Sequence, residues 1–92
     1  MINENERLNF FMKNRIDTIL KTKGEKIDSY ESSNISLVEM KRYLETLGYT
    51  PISYAKIPIG FADKQYYVYE IEGIKYVLKR DGEVVKFYRR GY

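Results

Sequence analysis

Cysteine, histidine and tryptophan are all missing from this chain of 92 residues, and proline occurs only twice. Without cysteine there is neither a disulfide nor a thiolate. A small secreted scaffold stapled by bridges is therefore excluded, and a cytoplasmic home, such as a bacterial host cell, is the expectation. Without histidine or cysteine, acid–base work falls to carboxylates, lysine or tyrosine, and metal binding to carboxylates alone. The carboxylates suit neither role, because Asp17 and Glu25, or Asp28 and Glu31, fall on solvated helix or loop positions. The expectation is a protein that is not an enzyme and needs no cofactor or metal. Gly60, Gly73 and Gly82 are turn glycines rather than a phosphate loop.

Long apolar runs are missing too. A membrane span needs about 20 apolar residues, whereas the longest uncharged apolar stretch, Ile57 to Ala62, is broken by Pro58 and Gly60. The opening MINENER is acidic and polar, so neither an export signal nor membrane association is expected. What remains is one domain over residues 1–92, a length at which folding buries about 60–65% of the unfolded chain's surface. Phe, Tyr, Met, Ile, Asn and Lys total 42 residues against 16 for Gly, Ala, Arg and Pro. That bias follows AT-rich codons and points to a low-GC bacterium, its phages or its mobile elements.

Leu8, Phe11, Met12, Ile16, Ile19 and Leu20 recur at helical spacing, with Arg7, Lys13, Asp17 and Lys21 on the other side. The pattern predicts a helix over about 4–22, capped by Asn3 or Asn5 and closed at Gly24. A loop follows, with a short extended piece at 26–30. A second helix over about 37–47 is marked by Ser36 and Glu39 as a capping box, by Ile35 and Met40 as a hydrophobic staple, and by Gly48 at its end. The next segment predicts a strand over about 50–57 ending at Pro58, and hence an edge position.

Strands are predicted at about 65–71, 74–80 and 83–89, joined by turns centred on Glu72-Gly73 and Asp81-Gly82. The first turn pairs Ile71 with Ile74, Tyr69 with Tyr76 and Tyr67 with Leu78. The second, the safer of the two because Glu72 is ill suited to positive φ, pairs Leu78 with Val85 and Tyr76 with Phe87. Both put the same residues on one apolar face, the natural seat for the helices. The expected fold is α+β: two helices packed on one face of a mainly antiparallel three- to four-stranded sheet, in the order α-α-β-β-β-β, a single two-layer domain.

The other sheet face collects Tyr66 and Val68, then Lys75, Val77 and Lys79, then Val84, Lys86 and Tyr88. Residues 1–48 are electrically neutral, so the whole net charge of +3 belongs to residues 49–92, as do eight of the ten tyrosines. Interleaved lysine and tyrosine on an open sheet fit a nucleic-acid platform, with cations on phosphates and rings on bases. Lysine also protects sheet edges and snorkels over apolar neighbours, and tyrosine is a good strand former. An exposed strip of Val68, Val77 and Val84 would nevertheless call for a partner or a dimer mate. Arg89 and Arg90 in the tail, and Phe61 in the 57–64 loop, complete the candidate binding residues.

YYVYEIEG, a further strand and the terminal RRGY resemble the C-terminal sheet of RelE-type ribonuclease toxins, which work without a histidine pair. That family starts with a strand before two helices, whereas this chain starts with a helix, so no catalytic residue is carried across. A winged helix lacks its further helix before Leu37, and a double-stranded RNA-binding domain lacks its closing helix after Phe87. The leading expectation is a small non-enzymatic binding module of a phage or mobile element, an inhibitor of a host macromolecule of the anti-CRISPR or host-takeover kind. Its partner is a host protein or protein–nucleic acid complex. Direct nucleic-acid binding and a ribonuclease toxin are the alternatives, and a homodimer is also compatible.

Overall fold

The computed structural model describes residues 4–21, 29–59 and 62–90, with side chains described over 6–21, 29–56 and 64–90. Helix α1 runs Glu4–Lys21 and helix α2 Leu37–Thr46. The strands are β1 (Ser29–Ser32), β2 (Ser53–Ile59), β3 (Ala62–Ile71), β4 (Ile74–Asp81) and β5 (Val84–Arg89). They form one antiparallel sheet in the order β1-β5-β4-β3-β2. The α+β expectation is met with one strand more than foreseen, because Ser29–Ser32 pairs with β5 as a sheet edge, overlapping the extended piece expected at 26–30, of which 26–28 lie outside the described residues. The caps expected at Asn3 and Gly24 lie outside the described residues, and Asn5, the alternative cap, falls within α1.

The serine cap and the glycine end expected for α2 are both present. The Ser36 hydroxyl accepts from the Glu39 amide at 3.2 Å, satisfying one of the helix's free donors. At the other end Gly48 (φ +90°) donates to the Glu45 carbonyl, and Tyr49 to that of Leu44 at 3.0 Å. This pair of bonds is a Schellman closure, which needs the left-handed conformation that glycine adopts without penalty.

Both helices lie on the expected sheet face, α1 against β1 and β5, α2 against β4. Met12, Ile16 and Ile19 of α1 and Leu37, Met40 and Leu44 of α2 meet Tyr69, Tyr76, Leu78, Val85 and Phe87 in one buried cluster. Tyr76 and Phe87 stack with centroids 5.7 Å apart. Each such side chain removed from water stabilises the fold by about 1.5–3 kcal/mol. Phe11 departs from its predicted stripe: it is 56% exposed, its ring meeting the Tyr30 ring at 5.9 Å. The cause is placement, since α1 lies over the edge strand β1 and part of its apolar side overhangs the sheet.

The two hairpins exchange roles. Glu72 accepts φ +53° beside Gly73 at φ +80°, both positive as a type I′ turn requires, and the β3–β4 register is the predicted one. The second turn is centred on Gly82-Glu83 instead of Asp81-Gly82: Asp81 pairs with Val84, Leu78 with Phe87 and Tyr76 with Arg89. The predicted pairs of Leu78 with Val85 and Tyr76 with Phe87 are thus corrected by two residues. Gly82 (φ +65°) takes the first central position, the glycine position of a type II′ turn. A slip of two keeps every side chain on its face, so the core composition survived the error.

Strand β2 occupies the opposite edge, as expected, but spans Ser53–Ile59 rather than 50–57. Pro58 lies within it, facing Asp63 in the register. An edge strand leaves one row of donors unused, and a residue without an N–H is tolerated there.

Candidate functional site

No helix packs on the second face of the sheet among the described residues, and the register places its side chains in rows. Ser53, Val68, Val77, Tyr88 and Ser29 form one row across the strands, and Ala55, Tyr66, Lys79, Lys86 and Glu31 the next. Val68 and Val77 are directly opposed at the centre and are 8% and 7% exposed. The exposed valine strip expected from the sequence is therefore corrected: Val68 and Val77 are buried beside Tyr66, Tyr88 and Lys79, and of the three valines only Val84 stays open, at 40%.

The valines instead form the floor of a depression of about 390 Å³. Tyr66 on β3 and Tyr88 on β5 stand on either side of β4, two interstrand spacings of about 4.8 Å apart across the sheet and one row apart along it. Lys64, Lys79 and Arg90 contribute its cationic lining. The ammonium groups of Lys79 and Lys86 lie 5.6 and 5.2 Å from the Tyr88 ring centroid, attracted by the negative face of the ring. Lys86 also meets Glu31 at 3.4 Å, and Lys64 meets Asp81 at 3.7 Å. For Lys79 and Arg90 there is no carboxylate within ion-pair distance among the described residues. The centre of the face is thereby net positive.

Of the residues singled out in the sequence, Tyr66, Val68, Val77, Lys79, Tyr88 and Arg90 meet around this depression. Lys86 adjoins it through Tyr88 and Lys79. Lys75 is exposed one row further along, across from Glu70, and the Arg90 amide donates to its carbonyl at 2.8 Å. Arg89 is not part of the face. It alternates with Phe87 and Val85 onto the helix side, sits opposite Tyr76 and is 3% exposed. Phe61 lies outside the described residues.

Lys64 and Asp81 were missed because the expected strands stop three residues short of the start of β3 and one residue short of the end of β4. Alternation carried to the strand ends would have found both. Elsewhere, Phe10 and Phe11 are 69% and 56% exposed on α1. Adjacent helical residues point about 100° apart, so both cannot face the sheet squarely.

On the helix side the tyrosines serve structure. The Tyr43 hydroxyl donates to Asp17 Oδ1 at 2.6 Å, and burial, then that bond, push the phenol up to about 12. Burial is also the main cause that raises Tyr69 and Tyr76, the Arg89 charge partly opposing it at Tyr76. A second hollow of about 390 Å³, bordered by Asp17, Lys21, Leu47, Tyr49 and Glu72, opens between the C-terminal ends of the helices. None of the described helices is long and apolar enough to cross a membrane. Compared with known proteins, the chain matches no family model, no curated protein and no solved structure.

Proposed function

We propose that this chain is a non-enzymatic binding module that engages a host macromolecule through the open face of its sheet and acts by occupying it. Such a mode of action fits a small inhibitor carried by a phage or mobile element. The observation that carries this reading is the depression floored by Val68 and Val77, walled by Tyr66 and Tyr88 and bordered by Lys79 and Arg90, two cations with no carboxylate partner among the described residues. Surface tyrosine and arginine at the rim of a partly dry recess are the residue types that dominate binding energies. The residues on this face bring charge and aromatic surface, not an acid–base pair, so binding rather than turnover is the activity they support.

The test is capture from lysate of a low-GC bacterium by the tagged protein, with and without nuclease, beside the Tyr66→Ala/Tyr88→Ala double variant. One macromolecule retained by the natural chain and lost by the variant supports the reading. Equal capture by both moves the working surface elsewhere on the fold.

A further inference from the structure

Lys79 and Lys86 face each other directly across β4 and β5. Facing side chains in an antiparallel pair have Cβ atoms about 4.5–5.5 Å apart, and like charges there destabilise the sheet. Glu31 compensates Lys86 from the neighbouring strand, while among the described residues Lys79 has the Tyr88 ring and no carboxylate. Arg90 borders the same depression and adds a further cation without a carboxylate partner among the described residues. A ligand that brings negative charge between these side chains relieves the repulsion that the free protein carries.

The shape of the recess narrows the ligand further. Its floor is two valines only 8% and 7% exposed, so what a ligand meets there is chiefly the half-buried tyrosines and the cations beside them. A flat ring joined to an anion is the chemistry of a nucleotide. Bases are free to lie against tyrosine only when they are not paired, and stacking of this kind tolerates any base. The face also carries Glu70, Asp81 and Glu31 among its cations, so it lacks the long uninterrupted basic ridge that tracks a duplex.

We infer that the depression between Tyr66 and Tyr88 binds single-stranded nucleic acid, with bases against the two rings and phosphates held by Lys79, Lys86 and Arg90. The inference rests on the open face being the working surface and names its partner class. On binding, the two ammonium groups exchange the Tyr88 ring for phosphate oxygens and leave that ring face to a base.

The probes are fluorescently labelled oligo(dT) and oligo(U), a duplex of equal length, and heparin as a polyanion without bases, all read by anisotropy. The single strands bind more tightly than duplex or heparin. With three cations on phosphates, affinity falls about fifteen- to twentyfold when salt is raised about fourfold, a slope near −0.7 per contact. Tyr66→Ala and Tyr88→Ala each weaken binding by about fivefold or more. Tyr88→Leu, which keeps an apolar cover over Val77, weakens it as well and serves if the alanine variant unfolds. Lys79→Ala/Lys86→Ala flattens the salt dependence, and Lys56→Ala, a lysine on the helix side of β2, changes nothing.

Duplex or heparin bound as tightly as the single strand, or tyrosine variants of undiminished affinity, overturns the inference. Absence of oligonucleotide binding overturns it too. If capture of a macromolecule from lysate still depends on Tyr66 and Tyr88, that failure is confined to the partner class. If it does not, the open-face reading fails with it.

Discussion

The Tyr43 hydroxyl donates to Asp17 Oδ1 across 2.6 Å and joins the two helices through side chains 26 positions apart in the chain. The bond is partly buried and charge-assisted, and Lys13 lies 5.7 Å from the same ring. Tyr43→Phe removes the bond while keeping the ring packed. A hydrogen bond to a charged group contributes about 1.5–3 kcal/mol, less where water reaches it, so a loss of about 1–2 kcal/mol is expected. In a domain of this size that lowers Tm by about 4–12 °C, as thermal unfolding followed by circular dichroism will show. Asp17→Asn in the Tyr43→Phe background adds little if the two groups act as one unit.

Alkaline sensitivity follows from the same tyrosines. The unfolded phenol titrates at 10.0, whereas folding raises Tyr43 to about 12 and shifts Tyr69 and Tyr76 in the same direction. A raised phenol holds its proton in the folded state after the unfolded chain has lost it. Stability is therefore fully present below pH 10 and declines as pH rises through 10 toward 12. Urea midpoints measured along this range should fall steadily. The Tyr69 hydroxyl oxygen is buried with no hydrogen-bond partner among the described residues, so Tyr69→Phe is expected to be neutral or stabilising and to flatten the decline. An unchanged slope in that variant would place the sensitivity in other groups.

At the β3–β4 turn, Glu72 stands in a left-handed conformation, φ +53°, that costs an ordinary residue about 1–2 kcal/mol. Glu72→Asn creates the Asn-Gly pair favoured in type I′ turns and should raise stability by about 1 kcal/mol. Gly73→Ala, at φ +80° with open space around the glycine, should lower it through backbone strain alone. Equal stability of the two variants would contradict the turn assignment.

These turns show what was legible in the sequence. Both helices follow from apolar spacing, because burial against one face leaves a periodic trace, and the β3–β4 register follows from the turn at Glu72-Gly73. The second hairpin misled because Asp-Gly is a good turn pair on its own, and only the hydrogen-bonded ladder decides that glycine takes the first central position. Strand β1, with the sequence Ser-Tyr-Glu-Ser, is so short and polar that only an extended piece at 26–30 was legible, and it is a strand because β5 offers it an edge. The candidate face was legible as a set of alternating lysines and tyrosines. That Val68 and Val77 are covered was not, since cover depends on how long side chains in neighbouring rows lean. Arg89 is a plainer lesson: alternation from Val85 and Phe87 already put it on the helix side, against its basic neighbourhood.

The two arginines at the end of β5 should consequently behave in opposite ways. Arg90 is exposed beside the depression, so Arg90→Ala should weaken oligonucleotide binding and leave Tm within about 2 °C of the natural chain. Arg89 is 3% exposed over Tyr76. Arg89→Ala removes a packed stem and a buried charge, and a loss of about 1–3 kcal/mol is expected with affinity unchanged wherever the variant is folded. The reverse assignment of effects would show that the strand ends differently from the register described.

The facing lysines allow function and stability to be pulled apart. Lys79→Glu places a carboxylate opposite Lys86 and turns a repulsive pair into an attractive one, a gain of about 0.2–1 kcal/mol. It forfeits one of two cation–ring contacts with Tyr88, about 0.5–1 kcal/mol at an exposed site, so stability should stay within about 1 kcal/mol of the natural chain. Lys86→Glu creates the same cross-strand pair but also sets two carboxylates together, because Glu31 lies 3.4 Å from the ammonium that is replaced. Urea denaturation should thus find the position-86 variant the less stable of the two, while both lose oligonucleotide affinity. If both variants keep that affinity at natural stability, the lysines are surface cover and the anion they were assigned binds elsewhere.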